Sequence, residues 1–208
     1  MKSGYGFYKF CYCVARAALS IFYRIKITGK ENIPSGAAMV CANHSSLMDP
    51  VLLAFAFGLG THLRIIAKAE LYRVPVLSAI IRRLGTIKVD RGGLDIQTIK
   101  DTLSCLNKGE KVAIFPEGTR KQEEIAGAAK NGAVKLSERA KVPLVPCYIP
   151  RKKPLFRKIH LIIGEPYYIA NQKEKRSADD YANLADALMD RIAALPDSCY
   201  KPGSGECV

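Results

Sequence analysis

Short apolar runs of strand-like composition alternate with segments of helical periodicity along nearly the whole chain, and that alternation leaves few folds open. Strand-like runs fall at Arg24–Thr28, Ala37–Ala42, Arg64–Ala67, Thr86–Val89, Lys111–Phe115, Leu144–Ile149 and Ile159–Ile163. Between and after them, helical patterns occupy Val76–Leu84, Leu94–Asn107, Gly132–Ala140 and Ala178–Leu195. Leu94, Ile96, Ile99, Leu103 and Leu106 recur as one helix face requires, and Gly109 stops that helix. Strands separated by helices predict an α/β domain with a largely parallel mixed sheet flanked by helices. At 208 residues the chain reads as a single domain able to build its own core.

In open α/β sheets ligands bind beyond the carboxyl ends of the strands. Four predicted strands place a polar residue just past that end: His44, Lys68, Arg91 and the Glu117–Arg120 segment. If those strands are parallel neighbours, one sheet edge gathers a histidine, carboxylates and three cations. Asn43-His44-Ser45-Ser46-Leu47-Met48-Asp49 is the richest of these segments. An imidazole steadied by a carboxylate is the usual equipment for taking a proton from a hydroxyl. Two plainer readings stand beside it. Asp49 before Pro50 makes a good N-cap for a helix running to about Gly58, and His44 fits an ordinary loop histidine. Capping and catalysis do not exclude each other.

The N-terminus carries a second pattern. Lys2, Lys9 and Arg16 repeat every seven residues, while Phe7, Cys11, Val14, Ala18, Phe22 and Ile25 follow at spacings of three and four. With Tyr5, Tyr8, Phe10, Tyr12 and Tyr23 as aromatic flanks, residues 1–24 read as an amphipathic helix lying on an anionic membrane, or as a surface helix packed on the domain. Lys9 and Arg16 interrupt the roughly 20 apolar residues that a spanning helix needs. A net charge of +13 calls for an anionic partner: a membrane surface, phosphate-bearing substrates or nucleic acid. The aromatic residues cluster in the N-terminal helix rather than among cations on a sheet, which disfavours nucleic acid. Seven cysteines without a CxxC pair point to reduced thiols, and three widely spaced histidines offer no metal-ligand pattern.

Phe115-Pro116-Glu117-Gly118-Thr119-Arg120, together with Asn43-His44-x4-Asp49, resembles two motifs of the glycerolipid acyltransferase family, specifically the 1-acylglycerol-3-phosphate (lysophosphatidate) acyltransferases. Lys68-Ala69-Glu70-Leu71 with Gly85–Arg91 resembles the family's second motif, and Val142–Pro146 its fourth. Lys130-Asn131-Gly132-Ala133 resembles its KxGA helix start. The likeness runs in order from about Lys30 to Pro150; Leu47-Met48 in place of an aromatic pair and Ala129 in place of Phe depart from it.

The resemblance implies transfer of a fatty acyl group from a thioester donor to the free hydroxyl of lysophosphatidate, giving phosphatidate. His44 would act as base and Asp49 as its orienting carboxylate. Lys68, Arg91 and Arg120 would hold the acceptor phosphate, with Glu117, Gly118 and Thr119 completing the substrate site. An activated thioester needs no metal and no cofactor beyond acyl-CoA or acyl-carrier protein as co-substrate. The enzyme would lie at the cytoplasmic face of the membrane as a peripheral or monotopic protein. Arg151-Lys152-Lys153 and Arg157-Lys158 would add membrane contact or grip the donor's phosphates, unless they form a solvated loop. Residues 25–197 form the expected acyltransferase domain and residues 198–208 a flexible tail. The competing readings are an acyltransferase for another lysophospholipid or for glycerol-3-phosphate, a basic nucleic-acid-binding protein, and a non-catalytic membrane-docking protein.

Overall fold

The computed structural model describes residues 3–90, 95–116, 123–170 and 176–198. Helix α1 (Ser3–Phe22) leads into strand β1 (Arg24–Thr28). There follow β2 (Ala38–Ala42), α2 (Asp49–Phe57), β3 (Arg64–Lys68), α3 (Pro75–Arg83) and β4 (Ile87–Val89). The chain continues through α4 (Ile96–Asn107), β5 (Lys111–Ile114), α5 (Glu123–Ala140), β6 (Leu144–Tyr148), β7 (Lys158–Ile163) and α6 (Ala178–Ser198). The strands form one sheet in the order β1-β7-β6-β2-β5-β3-β4, parallel throughout except for the antiparallel pair β6 and β7.

Strand β2 shows why the sheet is covered on both faces. All five of its residues are buried. Ala38, Val40 and Ala42 enter one core cluster with residues of α2, while Met39 and Cys41 enter another with residues of α4, α5 and α6. Successive side chains of a strand point to opposite faces, so an uninterrupted apolar run is what a central parallel strand requires.

The predicted strands β2, β5, β3 and β4 are consecutive parallel neighbours. Their carboxyl ends therefore share one sheet edge, as the candidate site demands. The reversal at β7 follows from a short connection: β6 ends at Tyr148 and β7 begins at Lys158, too close for a helical crossover.

Helix α1 differs from the expected arrangement of faces. Tyr8, Tyr12, Ala15 and Leu19 turn towards the domain; Tyr8 is buried, and the other three pack against the α2-side core. Tyr12 meets Phe55 of α2 edge-on with ring centroids 5.0 Å apart. Phe10, Val14, Ala17 and Ile21 repeat the same spacing two residues later, which turns them about 200° around the helix. That set is exposed, Phe10 at 65% and Ile21 at 69%. The helix thus has two apolar faces, one docked and one open, where the sequence pattern showed a single stripe.

Candidate active site

The turn between β2 and α2 converges on one buried carboxylate. Asp49 is the first residue of α2, with Met48 in the cap position and Pro50 following. The expectation that Asp49 caps the helix is corrected by its hydrogen bonds. Its Oδ2 accepts from the backbone N–H of Ser45 at 2.5 Å and of Ser46 at 2.7 Å, both in the loop behind it rather than in the first helical turn. The loop is thereby wrapped around the carboxylate. Ser46 Oγ accepts from the Met48 N–H at 3.2 Å and tightens the bend.

The same Oδ2 lies 3.0 Å from His44 Nδ1. Asp49 has no exposed side-chain surface, whereas 31% of the His44 side chain is open. Burial alone would raise the Asp49 pKa, but His44, the Lys153 ammonium and the Ser45 and Ser46 amides overcome it and hold the carboxyl down at about 2. An ionised carboxylate only accepts, so the proton between the pair belongs to Nδ1, and the neutral ring presents Nε2 as its acceptor nitrogen.

Phe115, the residue after β5, packs against the imidazole in a tilted contact, with ring centroids 4.5 Å apart and planes 31° apart. The His44 segment and the start of the Phe115–Arg120 segment are therefore in direct contact, as neighbouring parallel strands β2 and β5 allow. Lys68 ends β3 on the same sheet edge and is exposed. Arg91, Glu117, Gly118, Thr119 and Arg120 lie outside the described residues. Among the described residues there is no cluster of His, Cys, Asp and Glu able to hold a metal ion.

Two residues had no such role in the sequence pattern. Asn43 is buried and binds Ile149 at the end of β6 through both atoms of its amide. Lys153 belongs to a run of cations that reads as surface, yet its side chain is only 6% exposed and its Nζ lies 2.7 Å from Asp49 Oδ1. That geometry corrects the expectation of membrane or donor contact for Lys153. No local pattern announces either pairing, because the partners are separated by more than a hundred residues.

The family model described as Acyltransferase matches residues 24–150. The chain is 34% identical over 194 residues to the 1-acyl-sn-glycerol-3-phosphate acyltransferase of Bacillus subtilis, covering 90% of this chain and 96% of that one. It is 31% identical over 189 residues to the Saccharomyces cerevisiae protein of the same name, covering 86% of this chain and 62% of that one. Among solved structures, the 1-acyl-sn-glycerophosphate acyltransferase of Thermotoga maritima superposes with a TM-score of 0.63 at 25% identity, over 96% of this chain and 80% of that one. With the matched region enclosing the His44–Asp49 turn and all but one of the seven strands, this chain belongs to the acyltransferase family.

Proposed function

We propose that the protein is a 1-acylglycerol-3-phosphate O-acyltransferase, which moves a fatty acyl group from a thioester donor to the free hydroxyl of lysophosphatidate. The observation that carries this reading is the His44 ring, bonded to buried Asp49 through Nδ1 and packed against Phe115. It is joined by the relatives' shared activity.

In the proposed reaction His44 Nε2 takes the proton of the acceptor hydroxyl as its oxygen attacks the thioester carbonyl. Asp49 holds the ring by Nδ1 and balances the imidazolium that forms. The tetrahedral intermediate collapses with formation of the ester C–O bond and loss of the C–S bond. The imidazolium then returns its proton to the departing thiolate. Lys68, Arg91 and Arg120 hold the acceptor phosphate, with Glu117, Gly118 and Thr119 shaping the acceptor site. The donor is acyl-CoA or acyl-carrier protein.

Lysophosphatidate stays in the bilayer, so the enzyme must reach it there. No described helix is long and apolar enough to cross a membrane. The open apolar face of α1 instead suits attachment to the cytoplasmic surface.

The test is an acyl-transfer assay with purified protein, using lysophosphatidate, other lysophospholipids and glycerol-3-phosphate as acceptors and both donor types. Lysophosphatidate should be preferred, and His44→Ala should lower kcat by about two to four orders of magnitude. Full activity in that variant removes the base, and preference for glycerol-3-phosphate reassigns the acceptor.

A further inference from the structure

A strap of chain after β6 crosses beneath the catalytic turn and delivers one ammonium group to it. Asn43 clamps the strap at Ile149, Ser45 Oγ donates to the Arg151 carbonyl at 3.3 Å, and the Phe156 N–H donates to the Phe22 carbonyl at 2.7 Å. Tyr23 Oη donates to the Lys153 carbonyl at 3.4 Å. Between these ties the Lys153 side chain turns inward. Its Nζ lies 2.7 Å from Asp49 Oδ1 and donates to Ser45 Oγ at 2.8 Å.

The two carboxylate oxygens of Asp49 are served unequally. Oδ2 receives His44, Ser45 and Ser46. Oδ1 is buried and makes no hydrogen bond among the described residues, and this ammonium, 2.7 Å away, meets it as an ion-pair partner. Buried ion pairs are weak contributors to stability, since desolvation offsets much of their attraction. A lysine with 6% of its side chain exposed against a fully buried carboxylate therefore calls for a role other than holding the fold.

We propose that Lys153 is a positioning residue for acyl transfer: its ammonium pins Asp49 Oδ1, fixes the rotation of the carboxylate, and so directs Oδ2 at the His44 ring. This rests on His44 being the base. Lys153 touches neither substrate nor reacting atom. It acts through Asp49 and, by its bond to Ser45 Oγ, through the loop that wraps the carboxylate. With the ammonium gone, Asp49 can turn, and the imidazole loses the partner that sets its tautomer and its angle of approach.

Lys153→Gln keeps N–H donors on a side chain one atom shorter and removes the charge, and its melting temperature checks that it folds. We expect its kcat to fall about 10- to 100-fold, with KM for acceptor and donor within about twofold of the parent. Lys153→Ala should fall further and regain about tenfold in ethylammonium chloride relative to the same concentration of sodium chloride. His44→Ala should show no such recovery, and Lys100→Gln, exposed on α4, should keep its kcat.

A Lys153→Gln enzyme with unchanged kcat overturns the proposal. So does a loss confined to KM, which would make Lys153 a substrate contact, or a Lys153→Ala loss that follows the melting temperature and does not recover with the amine. Activity in His44→Ala would instead sink the assignment of the base, a failure distinguishable from all of these.

Discussion

Asn43 and Ile149 are bonded twice: the Asn43 Nδ2 donates to the Ile149 carbonyl at 2.6 Å, and the Ile149 N–H donates to Asn43 Oδ1 at 2.8 Å. A side-chain amide here completes a ladder that the backbone leaves unfinished, because β2 has ended at Ala42 and β6 at Tyr148. The turn bearing His44 is thus fastened to the neighbouring strand one residue before the imidazole. The amide of Asn43 is an anchor for the His44–Asp49 turn.

Asn43→Ala should consequently weaken both fold and rate. It strands a buried N–H and carbonyl at Ile149, which costs about 2–4 kcal/mol for the pair. Denaturant unfolding should report that loss, and kcat per folded molecule should fall while KM changes little. Unaltered kcat would show that the turn holds its shape without the clamp.

Asp49 gives a pH prediction with a definite sign. Its carboxyl is held at about 2 in the folded protein, below the 3.8 of an unperturbed aspartate. A depressed carboxylate contributes stability above its unfolded value, and that contribution fades as pH falls from about 4 towards 2. The lowering corresponds to about 2 kcal/mol. The stability gap between the parent and Asp49→Asn should therefore be widest above about pH 5 and shrink on acidification. Urea titrations at several pH values measure it, and a gap independent of pH would refute the assignment.

Much of this arrangement was legible in the sequence, for physical reasons that can be named. Periodicity is local, so the seven strands and most of the helices around them could be read within a few residues of their ends; α5 is the exception, beginning at Glu123, nine residues before the expected Gly132. The pairing of His44 with Asp49 is local too, since a turn of five residues suffices to close it. Lys153 was not legible, because a charged side chain announces nothing about a carboxylate a hundred residues earlier until the strap is folded beneath the turn. The second apolar face of α1 was hidden by its own regularity: two sets at identical spacing, offset by two residues, blur into one hydrophobic segment.

Gly29 supplies a test of the sheet away from the site. It adopts φ +83°, and a Cβ added there would meet the Ile163 carbonyl oxygen at 1.9 Å. Gly29→Ala must push β1 from β7 or strain the backbone, at a cost of about 3 kcal/mol or more. The melting temperature should drop several degrees, while kcat of the folded fraction stays near the parent's. Neutral stability would contradict the close approach of these strands.

The two faces of α1 separate packing from membrane attachment. Phe10, Val14 and Ile21 are exposed and opposite the docked face, so replacing all three with glutamate leaves the contacts of Tyr12 with Phe55 intact. Melting temperature should then hold within a few degrees. Binding to vesicles of mixed neutral and anionic phospholipid should weaken at least about tenfold, because apolar area is withdrawn from the bilayer and negative charge is set against it. Tyr12→Ala should do the reverse, lowering the melting temperature by unseating the helix from α2 while leaving the exposed face unchanged. Activity on a soluble short-chain acceptor should survive the triple substitution, and activity on vesicle-borne lysophosphatidate should fall with binding. If vesicle binding is unchanged by three glutamates, α1 is a packing helix only, and the bilayer is met by another surface.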